Sequence, residues 1–156
     1  MRRRRAVKKE PQPDPKYNST VIGRFISIIM LDGKRTISQK AVYKAFDIVQ
    51  ERLKEDPYKI FFAALENARP RLEVKPRRIG GATYQVPGEV VKERGMFIAL
   101  RWMRDFSRNK KGKPMSVKLA EEIISAYKYE GALIKKKEDT HKMAEANKAF
   151  AHFKWR

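Results

Sequence analysis

The stretch LEVKPRRIGGATYQVPGEV, residues 72–90, decides the fold because it interrupts a chain whose other patterns are helical. β-Branched and aromatic residues alternate on both sides of Gly80 and Gly81, which predicts two strands joined by a tight turn. Pro76 and Pro87 lack the amide hydrogen that a central strand donates, so we expect a two-stranded ribbon that projects from the body. The sequence therefore predicts one long β-hairpin.

Three helices are predicted before this ribbon. Apolar residues recur at helical spacing from Val21 to Met30 and cover most of the circumference, so we expect the first helix near the centre of the core. Gly33 ends this helix, and Thr36 with Gln39 forms a predicted capping box for the second. The second helix has a predicted apolar stripe of Ile37, Ala41, Ala45, Val49 and Leu53. The third is expected to begin with Asp56 as its N-cap and Pro57 in its first turn.

Helical spacing returns after the ribbon in three further segments. The fourth helix carries Val91, Ile98, Trp102 and Phe106, and the fifth carries Leu119, Ala120, Ile123, Ile124 and Tyr127, with Lys110 to Pro114 as the linker between them. A sixth begins near Ala132 and has Met143, Ala146 and Phe150 on one stripe. We predict a mainly α fold, a bundle of about six helices with one protruding β-hairpin.

The first 16 residues differ in composition from the rest of the chain. They combine four consecutive arginines with three prolines and bury almost no apolar surface, which predicts a disordered, flexible basic arm. Residues 17–156 are then expected to form a single helical domain, with the hairpin at about 72–89. No apolar region follows the basic start and no apolar run is long enough to span a bilayer, so we expect neither an export signal nor a membrane anchor.

The charge of the chain calls for a polyanionic partner. Lysine and arginine outnumber aspartate and glutamate by 37 to 18, a formal net charge of +19. Nucleic acid, an anionic membrane and an acidic protein all remain possible on this ground alone. The absence of cysteine is typical of a cytoplasmic protein and leaves no thiolate metal site. No catalytic motif is present, and His141 and His152 are too far apart on a helix to share a metal, so we assign no active site, metal or cofactor.

The basic residues fall on several predicted elements. Arg77 and Arg78 lie on the ribbon, where Tyr84 is available for base or ribose stacking, as is Tyr58 on the third helix. The alternative interpretation of the ribbon charges is protection of an exposed strand edge. Further cations lie before the second helix, along one face of the fourth, in the following loop and on the sixth: Lys34, Arg35, Arg94, Arg101, Arg104, Arg108, Lys110, Lys111, Lys113 and Lys135 to Lys137. This spread favours a folded RNA with several phosphate tracks over a single DNA groove.

Two long segments resemble a known family. The stretch RPRLEVKPRRIGGATYQVP, residues 69–87, and the tail KKKEDTHKMAEANKAFAHFKW, residues 135–155, are similar to segments of the bacterial small-subunit ribosomal protein seven family. PDPKYNS in the arm, LDGKR at 31–35 and ALRWM at 99–103 match in the same order. The likeness covers essentially the whole chain, with one departure at Gly88, where the family usually has a larger apolar residue.

The resemblance implies a non-enzymatic protein that nucleates assembly of the 3′ major domain of small-subunit rRNA, which becomes the subunit head. The implied partners are this rRNA, the exit-site tRNA and mRNA, and small-subunit ribosomal proteins nine and eleven. With the basic residues above, the expected rRNA contacts are Arg2, Arg3, Arg4, Arg5, Lys8, Lys34, Arg35, Lys75, Arg77, Arg78, Arg94, Arg101, Arg108, Lys110, Lys111 and Lys136. The residues expected near the exit-site tRNA or mRNA are Arg77, Arg78, Gly80, Gly81 and Tyr84.

Two alternatives from other classes remain. An architectural DNA-binding protein also uses basic β-arms, although such arms usually need a symmetric partner. A peripheral membrane protein would need an amphipathic helix with a free apolar face, whereas the predicted faces are needed for the core.

Overall fold

A computed structural model describes residues 12–153, which form six α-helices, one 3-10 helix and a two-stranded antiparallel sheet. In chain order the elements are α1 (Thr20–Ile29), α2 (Arg35–Leu53), α3 (Pro57–Ala68), β1 (Leu72–Ile79), β2 (Ala82–Glu89), α4 (Lys92–Asn109), α5 (Met115–Tyr127), α6 (Ala132–Ala146) and the 3-10 helix (Lys148–Phe153). The predicted helical bundle with a single β-hairpin is confirmed. None of the described helices is both long and apolar enough to cross a bilayer.

Helix α5 lies at the centre of the bundle. It contacts α2, α3, α4 and α6, and its Leu119, Ala120 and Ile123 are fully buried. Helix α1, which was expected near the centre of the core, buries Ile22, Phe25 and Ile26 completely, and its Phe25 ring lies 5.2 Å from that of Phe61 in α3. Its backbone, however, lies against α2 and α4 and not against α5, so α1 is not the central helix. Arg24 and Ser27 face outward from α1, so one side of this apolar helix borders the surface.

Local signals place some helix ends correctly. The Asp56 carboxylate accepts a hydrogen bond from the Tyr58 amide at 3.0 Å, which confirms the predicted N-cap of α3. The predicted capping box of α2 is wrong: the helix begins at Arg35, so Thr36 lies inside it, and the Gln39 amide instead donates to the Tyr43 hydroxyl at 2.8 Å. Helix α1 ends at Ile29, before the turn that contains Gly33.

The predicted stripes of three helices are only partly buried. Ile37 is 64% exposed, Met143 is 52% exposed and Val91 is 74% exposed. The buried faces consist instead of Ser38, Val42, Ala45, Phe46 and Val49 in α2, and of Leu133, Ile134 and Ala144 in α6. A string of residues spaced by four drifts around a helix by about 40° per step, so a long string leaves the buried face at its ends.

The ribbon pairs Leu72 with Glu89 at its base and Ile79 with Ala82 at its tip. Gly80 and Gly81 connect the strands with φ values of 56° and 91°, a left-handed geometry that glycine adopts without steric cost. The ribbon contacts α6 and the 3-10 helix, so part of it lies against the C-terminal elements.

Residues 12–16, assigned above to the arm, lie against the helical body. Asp14 is fully buried, and its carboxylate accepts hydrogen bonds from the Lys16 and Tyr17 amides, both at 3.1 Å, and from the Tyr43 hydroxyl at 2.8 Å. The segment crosses α1 so closely that a Cβ on Gly23 would lie 2.6 Å from the Gln12 carbonyl oxygen. The prediction for Arg2 to Arg5 and Lys8 falls outside the described residues.

Candidate nucleic-acid interface

A groove of about 430 Å³ lies between α1 and α4, next to the start of α2. It is lined by Gln12, Gly23, Arg24, Ser27, Ile28, Arg35 and Phe97. Arg24 and Arg35 are exposed, and Phe97 is 38% exposed. Lys34, the N-cap residue of α2, is also exposed. The α1–α2 turn therefore presents several cations beside an accessible aromatic ring.

Arg77 and Arg78 on β1 keep their guanidinium groups available. Neither side chain forms a hydrogen bond or ion pair with any residue in the range 12–153. Arg78 is exposed and Arg77 is half-buried. An arginine in this state offers a planar set of donors that matches a phosphate.

Glu73 pairs with two of the predicted RNA-binding residues at the base of the ribbon. Arg94 donates from Nε and Nη2 to its carboxylate, each at 2.9 Å, and the Lys75 ammonium lies 2.8 Å away. The hydrogen bonds from Arg94 lower the pKa of Glu73, with smaller contributions from Lys75 and against the opposing effect of burial. Arg94 and Lys75 are therefore engaged within the protein.

The basic face predicted on α4 is present, but its arginines have local partners. The Arg101 guanidinium lies 5.0 Å from the centre of the Phe97 ring. Arg104 pairs with Asp105 at 2.7 Å, and Arg108 donates to the Ile29 carbonyl oxygen at 3.0 Å. Of these three arginines, only Arg108 links α4 to another described element, the end of α1.

The loop between α4 and α5 also contains both ion-paired and unpaired lysines. Lys110 lies 2.6 Å from the Glu122 carboxylate, whose side chain is only 4% exposed, and Lys113 pairs with Glu121. Lys111 is exposed and has no ion pair among the described residues. Of these three lysines, only Lys111 lacks an ion pair among the described residues.

Two neighbouring lysines of α6, Lys136 and Lys137, differ in their contacts. Lys137 donates to the Asn67 carbonyl oxygen at 2.7 Å and to the Tyr129 hydroxyl at 3.0 Å. Lys136 is exposed, and its side chain has no hydrogen bond or ion pair within the described part of the chain.

The aromatic residues proposed for stacking are already packed. The centre of the Tyr84 ring lies 5.3 Å from that of Phe150 and 5.2 Å from that of Phe153. The Tyr58 ring packs on Phe62 at 4.6 Å and is stacked with Tyr17. Each ring therefore belongs to an aromatic cluster that local sequence does not reveal. Tyr58 nevertheless remains 37% exposed, and stacking of RNA on either tyrosine stays a prediction.

His141 has a structural role in this geometry. Its Nε2 accepts a hydrogen bond from the Arg71 amide at 2.9 Å, at the base of the ribbon. Burial, followed by the charges of Lys137 and Arg71, lowers the pKa of His141. In the described range 12–153, no group of three or more His, Cys, Asp or Glu residues is placed to hold a metal ion.

Comparison with known proteins identifies the family of this chain. The family model described as ribosomal protein S7p/S5e matches residues 1–148. The chain belongs to the ribosomal protein S7p/S5e family. Among similar proteins, small ribosomal subunit protein uS7 of Thermotoga maritima is 57% identical over 155 residues, covering 99% of this chain and 100% of the relative. The proteins of the same name from Fervidobacterium nodosum (55%; 99% and 100%) and Endomicrobium trichonymphae (57%; 93% and 91%) are also similar.

The S7p/S5e assignment confirms the resemblance drawn from residues 69–87 and 135–155. This S7p/S5e member is a structural, non-enzymatic ribosomal protein of the small subunit.

Sequence reasoning missed two groove residues of this S7p/S5e protein. Arg24 is the sole charge within the apolar α1, which is a signal for an outward-facing position. Phe97 gave no signal, because its exposure depends on how α4 packs against α1.

Proposed function

We propose that this protein is a primary rRNA-binding protein that nucleates folding of the 3′ major domain, the head of the small subunit. One observation carries the proposal: cations without an intramolecular partner among the described residues occur on separate elements. They include Arg24 on α1, Lys34 and Arg35 at the start of α2, Arg77 and Arg78 on β1, Lys111 in the α4–α5 loop and Lys136 on α6. A folded RNA with several phosphate tracks is the partner that complements such a distribution.

The proposal extends to the position of the ribbon. Its tip, with Gly80 and Gly81, carries Arg77 and Arg78 close by, and neither strand contacts the central helix α5. We propose that it lies beside the exit-site tRNA and the mRNA path, with small-subunit ribosomal proteins nine and eleven as neighbours. Tyr84 contributes by holding the 3-10 helix to the ribbon, since its ring is packed on Phe150 and Phe153.

Footprinting on the 3′ major domain rRNA tests this assignment. The intact chain is compared with a chain lacking residues 1–10 and with the double variant Arg77→Ala/Arg78→Ala. We expect each variant to lose protection at a different place, because the arm and the ribbon contact separate tracks. Identical footprints would contradict the distributed contacts, and equal affinity for duplex DNA would favour an architectural DNA-binding protein instead.

A further inference from the structure

We propose that the groove between α1 and α4 holds one unpaired nucleotide of the bound RNA, with its base stacked on Phe97 and its flanking phosphates on Arg24 and Arg35. The inference rests on the RNA-binding function proposed above and names a contact within it. The groove volume, about 430 Å³, lies within the roughly 300–1,000 Å³ that is usual for sites of small ligands.

The Phe97 ring lines the groove and is partly accessible there. It is 38% exposed, whereas the next three residues of α4, Ile98 to Leu100, are buried and supply the core contacts. The Arg101 guanidinium lies over one face of the ring, 5.0 Å from its centre, so a base would stack on the other face with a positive charge nearby. Every nucleobase has a π face, so an exposed aromatic ring flanked by arginine is a suitable platform for an unpaired base.

The polar lining of the groove suits a nucleotide. Arg24 and Arg35 approach it from α1 and from the start of α2, and no acidic side chain lines it among the described residues. The Ser27 hydroxyl donates to the Gly23 carbonyl oxygen at 3.0 Å, which leaves its oxygen able to accept from a base amino group. Two cations on one side and an acceptor within the groove match the phosphates and the base of one nucleotide.

The chain's own arm is a poor occupant by charge. It joins the groove at Gln12, and residues 1–11 hold four arginines and two lysines against one glutamate, a difference of five positive charges. These charges would be repelled by Arg24 and Arg35. A neutral apolar peptide would cover both arginines without pairing them, at a desolvation cost that a polyanion avoids.

The test measures affinity for a 3′ major domain rRNA fragment at several salt concentrations. Phe97→Ala is compared with Phe97→Trp, and Tyr129→Ala is the matched control, because Tyr129 is an exposed ring 4.9 Å from the Lys137 ammonium and does not line the groove. We expect Phe97→Ala to weaken binding roughly tenfold to a hundredfold with an unchanged salt dependence. We expect Phe97→Trp to restore affinity and Tyr129→Ala to leave it unaltered.

A second measurement guards against misfolding of the variants. RNA that carries 4-thiouridine is photocrosslinked to the unmodified chain, and the adduct is mapped by mass spectrometry. We expect the crosslink at Phe97 or in the segment 24–35, and its absence would overturn the proposal. Unaltered affinity of the Phe97→Ala variant would also overturn the proposal. It would be overturned as well if the effect of Phe97→Ala vanished in a chain lacking residues 1–10, because the arm would then be the occupant of the groove.

The remaining outcomes separate the groove from the proposed function. If Phe97→Ala binds rRNA normally but no longer recruits a neighbouring ribosomal protein, the groove is a protein-binding surface and the inference is wrong. If the unmodified chain shows no preference for the rRNA fragment over duplex DNA, the proposed function itself fails.

Discussion

At the scale of single residues, Asp14 connects the start of the described chain to the helical body. Its carboxylate is fully buried and accepts three hydrogen bonds, two from the amides of Lys16 and Tyr17 and one from the Tyr43 hydroxyl. Replacing it with alanine leaves these donors without their acceptor. We expect Asp14→Ala to lower the free energy of unfolding by about 2–3 kcal/mol, measured by urea denaturation.

Asp47 provides the matched control for this prediction. Its carboxylate pairs with Lys16 at 3.7 Å, and its side chain is 58% exposed, so the pair is screened by solvent. We expect Asp47→Ala to cost less than about 1 kcal/mol. Equal losses in the two variants would show that the burial of Asp14 has no energetic consequence.

His141 gives the protein a pH dependence at the base of the ribbon. Burial lowers its pKa below the usual 6.5, so the unfolded chain binds a proton at a higher pH than the folded one. Stability is therefore complete above pH 6.5 and falls as the pH decreases from 6.5 through the folded-state pKa. An imidazolium also cannot accept the hydrogen bond that the Arg71 amide donates to Nε2.

We expect His141→Gln to flatten the decrease in unfolding free energy between about pH 7.5 and pH 5.5, followed by chemical denaturation at each pH. His152→Gln is the control, because His152 is exposed at the end of the chain's described part. The account fails if His152→Gln flattens the profile and His141→Gln does not.

At the scale of elements, the ribbon and the 3-10 helix stabilise each other. A two-stranded hairpin is marginal by itself, and here the Tyr84 ring packs on Phe150 and Phe153. We expect Tyr84→Ala to increase amide hydrogen exchange in Lys148–Phe153 and in the outer half of the ribbon by roughly tenfold, with little change in α5. Thr83→Ala is the control on the same strand, because Thr83 is exposed. Equal exchange in both variants would rule out this coupling.

Whether an element could be predicted from the sequence depends on how far apart in the chain the residues that determine it lie. The Gly80–Gly81 turn and the Asp56 N-cap follow from local conformational rules, and both are present. The capping box at Thr36 has the right residue types, but the N-cap of α2 is Lys34, two residues earlier. The central place of α5 and the clusters around Tyr84 and Tyr58 depend on contacts between distant segments, which periodicity does not encode.

At the scale of the whole molecule, the net charge of +19 does not measure how many cations are free for RNA. Glu73 holds Lys75 and Arg94, and Glu122 holds Lys110. Glu73 and Arg94 are 21 residues apart in the sequence, so no local pattern reveals the pair. The sequence thus predicts the basic elements, while only the fold distinguishes paired cations from available ones.

This distinction predicts different salt dependences for two double variants that lose the same charge. Each phosphate neutralised contributes about 0.7–0.9 to the slope of log affinity against log salt. Arg77 and Arg78 have no partner among the described residues, so Arg77→Gln/Arg78→Gln should reduce the slope by about 1.4–1.8. Lys75→Gln/Arg94→Gln should reduce it by less than about 1, since Glu73 already balances one of the two charges.

The slopes are measured by filter binding to the 3′ major domain rRNA, with thermal unfolding of each variant as the check on folding. Equal reductions would mean that Glu73 releases both cations when RNA binds, and the division between paired and available cations would then have no bearing on the interface.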